Sequence, residues 1–69
     1  KNLFDVRRTI EIEDLGKITA TQGTFNTISL YFSKAADYYD LQGMDGLARS
    51  AREKSDQIYI ELKKYGFYN

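Results

Sequence analysis

The 69 residues contain no cysteine and no histidine. The first absence removes disulfides and thiolate metal ligands together. The second removes the commonest transition-metal ligand and the usual base of a nucleophilic triad. Proline is missing too, so no linker or rigid hinge is marked. Charge of one sign is also lacking, since ten Lys and Arg balance ten Asp and Glu. A basic excess would have pointed to nucleic acid or an anionic membrane, and neutrality argues weakly against both. No apolar run approaches the length of a membrane span, and no low-complexity tract or useful repeat occurs. No signal peptide is expected at the N-terminus. The expectation from these absences is one small helical domain over residues 1–69. It is expected to be no enzyme, to hold no cofactor or metal, to meet no membrane, and to work in a reducing, cytoplasmic-type compartment.

A chain of this length buries a modest share of its surface and is marginally stable alone. With disulfides and metal excluded, association is the remaining support. A homo-oligomer is therefore expected.

What is present is helical periodicity. Ile18, Thr21, Phe25, Ile28, Phe32, Ala35 and Tyr39 recur at alternating gaps of three and four, which keeps one stripe on one helix face. Ala48, Ala51, Ser55, Ile58, Leu62 and Tyr65 do the same. Between the stripes Gly43 is placed to end the first helix in a left-handed conformation, with Met44 folding back to Tyr39. Asp45 is a candidate N-cap for the second helix. Lys63 and Lys64 suit its last turn, Gly66 its stop, and Phe67 a return contact with Leu62. So short a connection makes the helices antiparallel neighbours. Tyr39 and Phe32 then face Ala48, Ala51 and Ser55, while Ile28, Phe25 and Ile18 face Ile58, Leu62 and Tyr65. Large side chains against small ones interdigitate without voids.

Residues 1–16 read in two ways. As a helix, the segment has Leu3, Val6 and Ile10 on one face, Phe4, Ile12 and Leu15 on another, and Gly16 as its stop. As a strand, Arg8-Thr9-Ile10-Glu11-Ile12 alternates cleanly, Glu13-Asp14-Leu15-Gly16 turns, and Lys17-Ile18-Thr19-Ala20-Thr21 returns. A lone two-stranded hairpin is barely stable without a cover. The favoured fold class is therefore all-α, a three-helix bundle with helices near 3–15, 18–41 and 45–65. An N-terminal β-hairpin on a two-helix hairpin is the alternative.

Few residue types here could carry chemistry. Ser33 with Lys34 and Ser55 with Lys54 are sequence neighbours, which point to different helix faces. Glu11, Glu13 and Asp14 form an acidic cluster that fits no calcium loop, and a solvated face accounts for it. Gly43-Met44-Asp45-Gly46 lacks the lysine and hydroxyl residue of a phosphate loop. Arg49 and Arg52 share a helix surface where each has an acid four residues on, Glu53 and Asp56, so pairing within the helix is expected. Their alternative use is a phosphate or DNA contact, helped by Arg7, Arg8 and Lys54.

Aromatics are the more suggestive feature. Tyr31, Tyr38, Tyr59 and Tyr68 are not all absorbed by the stripes, and Phe67-Tyr68 is apolar for a chain end. Tyrosines off a core face suit protein interfaces, where the ring is buried and the hydroxyl stays bonded. They would equally cover a flank facing another element. The functional expectation is a non-enzymatic interaction or assembly module, self-associating through Tyr31, Tyr38, Tyr59, Phe67 and Tyr68. A small nucleic-acid-binding regulator using Arg49 and Arg52 is the alternative.

Ala36, Tyr39, Gly43 and Ala48 also fall at the spacing of one tetratricopeptide unit, so residues 32–58 partly resemble that family. Arg52 stands where the family has an aromatic, and the closing proline is missing. The resemblance implies a helical hairpin and no function.

Overall fold

The computed structural model describes residues 6–66. Four elements follow in order: β1 (Arg7–Ile12), β2 (Gly16–Thr21), α1 (Gln22–Leu41) and α2 (Asp45–Lys64). The expected all-α three-helix bundle is corrected: an antiparallel β-hairpin stands where a helix over 3–15 was favoured, and it lies on the helical hairpin. The alternative architecture is the one observed.

The alternation of residues 8–12 and 17–21 explains the correction. The register sets Arg8 against Ala20, Ile10 against Ile18 and Ile12 against Gly16. Ile10, Ile12, Ile18 and Ala20 therefore share the face toward the helices. Ile10, Ile12 and Ala20 are buried there. The other face is polar, with Glu11 opposite Lys17 and the Thr9 and Thr19 hydroxyls bonded at 2.7 Å. A helix would have left residues 4, 12 and 15 on a second apolar face; the strand puts Ile10 and Ile12 on one. Gly16 is the end of a tight turn and not a helix stop. The Leu15 N–H donates to the Ile12 carbonyl at 2.9 Å, and Asp14 takes φ +69°, a conformation few residues other than Gly, Asn and Asp adopt readily.

β2 runs into α1 without a loop. Thr21 ends the strand and caps the helix, its hydroxyl accepting from the Thr24 N–H at 3.3 Å. Ile18 and Thr21 thus leave the helical stripe, which begins at Phe25. From there it holds, except that Ala36 rather than Ala35 is its fully buried small residue.

The reversal at Gly43 is as expected. Gly43 has φ +74°, its N–H donates to the Asp40 carbonyl at 3.0 Å, and the Met44 N–H returns to Tyr39 at 2.8 Å. These two bonds satisfy carbonyls that a helix end would otherwise leave unpaired. Asp45 is not the N-cap. Met44 takes that position, with no side-chain bond, and Asp45 is the first helical residue, where the dipole favours a carboxylate. Gly66 closes α2 with φ +85°. The expected contact of Phe67 with Leu62 lies outside the described residues.

Two zones hold the layers together. Where the hairpin lies on the helices, Phe25, Ile58 and Leu62 pack with Ile10, Ile12 and Ala20, flanked by Ile18, Ile28 and Phe32. Each fully buried Phe, Ile or Leu side chain there stabilises by about 1.5–3 kcal/mol. Toward the helix reversal the buried residues are alanines: Ala36, Ala48 and Ala51. Between the zones Ser29 and Ser55 exchange bonds. Their hydroxyls lie 2.9 Å apart, and each is within donating reach of the other's backbone carbonyl, at 3.2 and 3.0 Å; with one proton apiece they make two of these three bonds at a time. Tyr65, expected in the stripe facing Ile18, is exposed instead, with the Arg8 guanidinium 5.1 Å from its ring centre.

Candidate interaction surface

One flank of the helical pair carries the β-hairpin, and α2 ties the hairpin there. The Gln57 side-chain amide copies a strand edge: its Nε2 donates to the Glu11 carbonyl at 2.9 Å, and its Oε1 accepts from the Glu13 N–H at 3.2 Å. Lys54 Nζ lies 3.5 Å from the Asp14 carboxylate at the turn. The Tyr65 hydroxyl donates to the Thr9 carbonyl at 3.4 Å. Coverage by the hairpin ends at this turn.

Past the turn the same flank continues toward Gly43 with no cover among the described residues. A groove of about 280 Å³ runs between the helices there, lined by Tyr31, Phe32, Ala35 and Tyr39 of α1 and by Leu47, Ser50, Ala51 and Lys54 of α2. Tyr31 is 69% exposed, Tyr38 58% and Leu47 51%. Tyr31 stands edge-on to Phe32 at 5.9 Å, and Tyr38 to Tyr39 at 5.9 Å. The two exposed rings thus lean on half-buried ones and form a fixed rim.

Of the expected interface residues that are described, only Tyr31 lines the groove; Tyr38 lies seven positions on, exposed on the same stripe. Tyr59 is seven positions after Arg52 and belongs to the opposite flank, 48% exposed. Phe67 and Tyr68 lie outside the described residues. At the groove's polar end Lys54 Nζ donates to Ser50 Oγ at 2.7 Å, a contact that four-residue spacing makes possible and that was not singled out from sequence. The neighbouring pairs behave otherwise: Lys54 turns to Ser50, while Ser55 bonds Ser29. Acyl transfer at Ser50 would need donors aimed at a developing oxyanion. The helix N–H groups around it are turned into the helix's own bonds, so a polar rim is the plainer reading.

The opposite flank is charged. The Arg52 guanidinium reaches across to α1, donating to Asp37 at 3.3 Å and to Asp40. This corrects the expected pairing with Asp56. The hydrogen bond from Arg52 holds the Asp40 carboxyl below its ordinary range and pushes the guanidinium up. Arg49 and Arg52 line a shallow depression together with Asp40, Asp45, Glu53 and Asp56. A surface with four carboxylates to two guanidiniums offers a phosphate backbone no basic footprint. The carboxylates near the turn are dispersed: Glu11 stands opposite Lys17 and Asp14 beside Lys54. Among the described residues no three acids are placed to hold a metal ion. Nor is any helix there long and apolar enough to cross a membrane.

Comparison with known proteins places nothing beside this arrangement: no family model, curated protein or solved structure matches the chain.

Proposed function

We propose that the protein is a non-enzymatic interaction module that binds a second copy of itself through the uncovered half of its helical flank. The observation that carries this reading is the contrast along that flank. The hairpin seals one half, while the other presents Tyr31 and Leu47 at an apolar groove, with Tyr38 exposed on the stripe of Tyr31. Exposed apolar surface that is contiguous marks an interface, and tyrosines bring contact area with few rotamers to freeze.

The second copy is favoured over a foreign partner by the small core. Among the described residues nine hydrophobic ones are buried, and no disulfide supports them. A standard interface takes roughly 800 Å² from each partner, about a sixth of the 4967 Å² this chain exposes. Flank against flank would extend the core past the alanines. A cytoplasmic setting is part of the proposal, since none of the stabilising contacts needs an oxidising compartment.

Sedimentation equilibrium over a wide concentration range tests the reading. Mass should rise above one chain with concentration, and the melting temperature should rise with it. One-chain mass throughout, with unchanged melting, would remove the proposal.

A further inference from the structure

The two edges of the β-hairpin are finished differently. Thr9 and Glu11 offer their carbonyls to Tyr65 and Gln57, and Glu13 its N–H to Gln57. These groups point away from β2, so Arg8, Ile10 and Ile12 carry the ladder between the strands. With Ile10 opposite Ile18 and Thr9 opposite Thr19, the residues of β2 that point outward are Lys17 and Thr19. The outer edge of β1 is therefore closed by Gln57 of α2 and by Tyr65 just past its end. On the outer edge of β2 the backbones of Lys17 and Thr19 are given no partner among the described residues. The threonines at the start of α1 do not reach it: Thr24 bonds Thr21, and Thr27 donates to the Gly23 carbonyl at 3.1 Å.

Width leads to the same edge. Two strands lie roughly 5 Å apart, whereas two packed helices lie roughly 8–10 Å apart. A two-stranded layer is too narrow for its base by about one strand. On the α2 side Gln57 and Tyr65 fill the step. On the α1 side, beneath β2, nothing among the described residues covers Thr24 and Tyr31, and they form a shoulder beside Ile28. Ile28 is half-buried and Tyr31 exposed.

We propose that the outer edge of β2 is a strand-addition site for an extended segment of a partner protein. The segment alternates apolar and polar residues and places a carboxylate beside Lys17. Its backbone bonds Lys17 and Thr19, and its apolar side chains lie over Ile28 and Tyr31. Its acidic residue does from outside what Glu11 does from β1. A second copy does not fit this edge. Pairing β2 with β2 would set two helix pairs roughly 10 Å apart centre to centre, about half the room that four helices need. The backbone edge at Lys17 and Thr19 lies outside the groove and does not depend on self-association there, although Tyr31 borders both.

The test is an NMR titration of the full chain with the synthetic peptide acetyl-Thr-Val-Glu-Val-Thr-Val-amide and a twin carrying Lys for Glu. The Lys17 and Thr19 amides should shift and gain exchange protection with the acidic peptide, and the twin should bind several-fold more weakly. Thr19→Pro removes an outward donor while sparing the ladder. It should weaken binding at least about tenfold, whereas Thr19→Val should not. If the proline variant fails to fold, Lys17→Glu serves instead and should reverse the order of the two peptides. The proposal is overturned if neither amide responds, or if the order is the same in Lys17→Glu. It is equally overturned if both amides are protected in the protein alone and lose that protection on dilution, which would assign the edge to a second copy.

Discussion

The two halves of the helical hairpin differ in what they bury. Near the chain's β-hairpin the helices meet through Phe25, Ile58 and Leu62 under a β-layer. Near Gly43 they meet through Ala36, Ala48 and Ala51, with no layer above among the described residues. The alanines bring the backbones close but remove little apolar area from water, so that half contributes less to stability. Its large side chains, Tyr31, Tyr38 and Leu47, are turned outward instead. The same pair of helices thus serves as foundation at one end and as display surface at the other.

Substitutions can break this contrast. Phe25→Ala should have the largest effect, about 3–5 kcal/mol by denaturant unfolding, because it empties the junction of all four elements. Tyr38→Ala should leave single-chain stability within about 0.5 kcal/mol and lower self-association. Equal losses from the two would erase the distinction between the halves. Gln57→Ala comes next, at about 2 kcal/mol, since it leaves both the Glu11 carbonyl and the Glu13 N–H without their partner. Faster hydrogen exchange at Glu13, with the helices unaffected, is the accompanying signature. Gly43→Ala should cost about 1–2 kcal/mol. A Cβ there meets nothing within 4 Å, so the whole penalty is the positive φ.

Acid unfolding should show the smallest effect, and it belongs to the charged flank. Because Arg52 depresses the Asp40 carboxyl in the folded state, that pair's contribution is complete above the unfolded value of about 3.9. It is lost as pH falls through the folded value. Asp40→Asn should therefore flatten the decline of stability below about pH 4 and leave its slope near neutrality unchanged.

How much of this was legible in the sequence follows from which signals are local. The helical hairpin was, because period and stop residue agree: Phe25 to Tyr39, the glycine at 43, then Ala48 to Leu62. The N-terminal third was not, because Gly16 looks like Gly43 and Gly66. All three take positive φ, and a glycine that ends a helix carries the same local mark as one that ends a β-turn. Ile18 and Thr21 also happen to fall in phase with the stripe beyond them. What decides for strands is the cover supplied by Phe25 and, tens of residues away, by Ile58 and Leu62. The same holds for the surface. Seven-residue spacing puts Tyr31 with Tyr38 and Tyr59 with Arg52, yet which flank the hairpin occupies depends on Gln57 meeting Glu11. The reach of Arg52 across to Asp37 and Asp40 is likewise set by how the helices pack, and a competing acid four residues on conceals it.

The absence of cysteine allows a direct measurement. Lys34 shares the stripe of Tyr31 and Tyr38, while its neighbour Ser33 shares that of Asp37 and Asp40. Spin labels on Lys34→Cys and, separately, Ser33→Cys report distances between copies by pulsed electron resonance. Flank-to-flank association should give a short, well-defined distance between the labels at 34 and a longer one at 33. A shorter distance at 33, or no coupling between copies from either site at high concentration, would contradict the account.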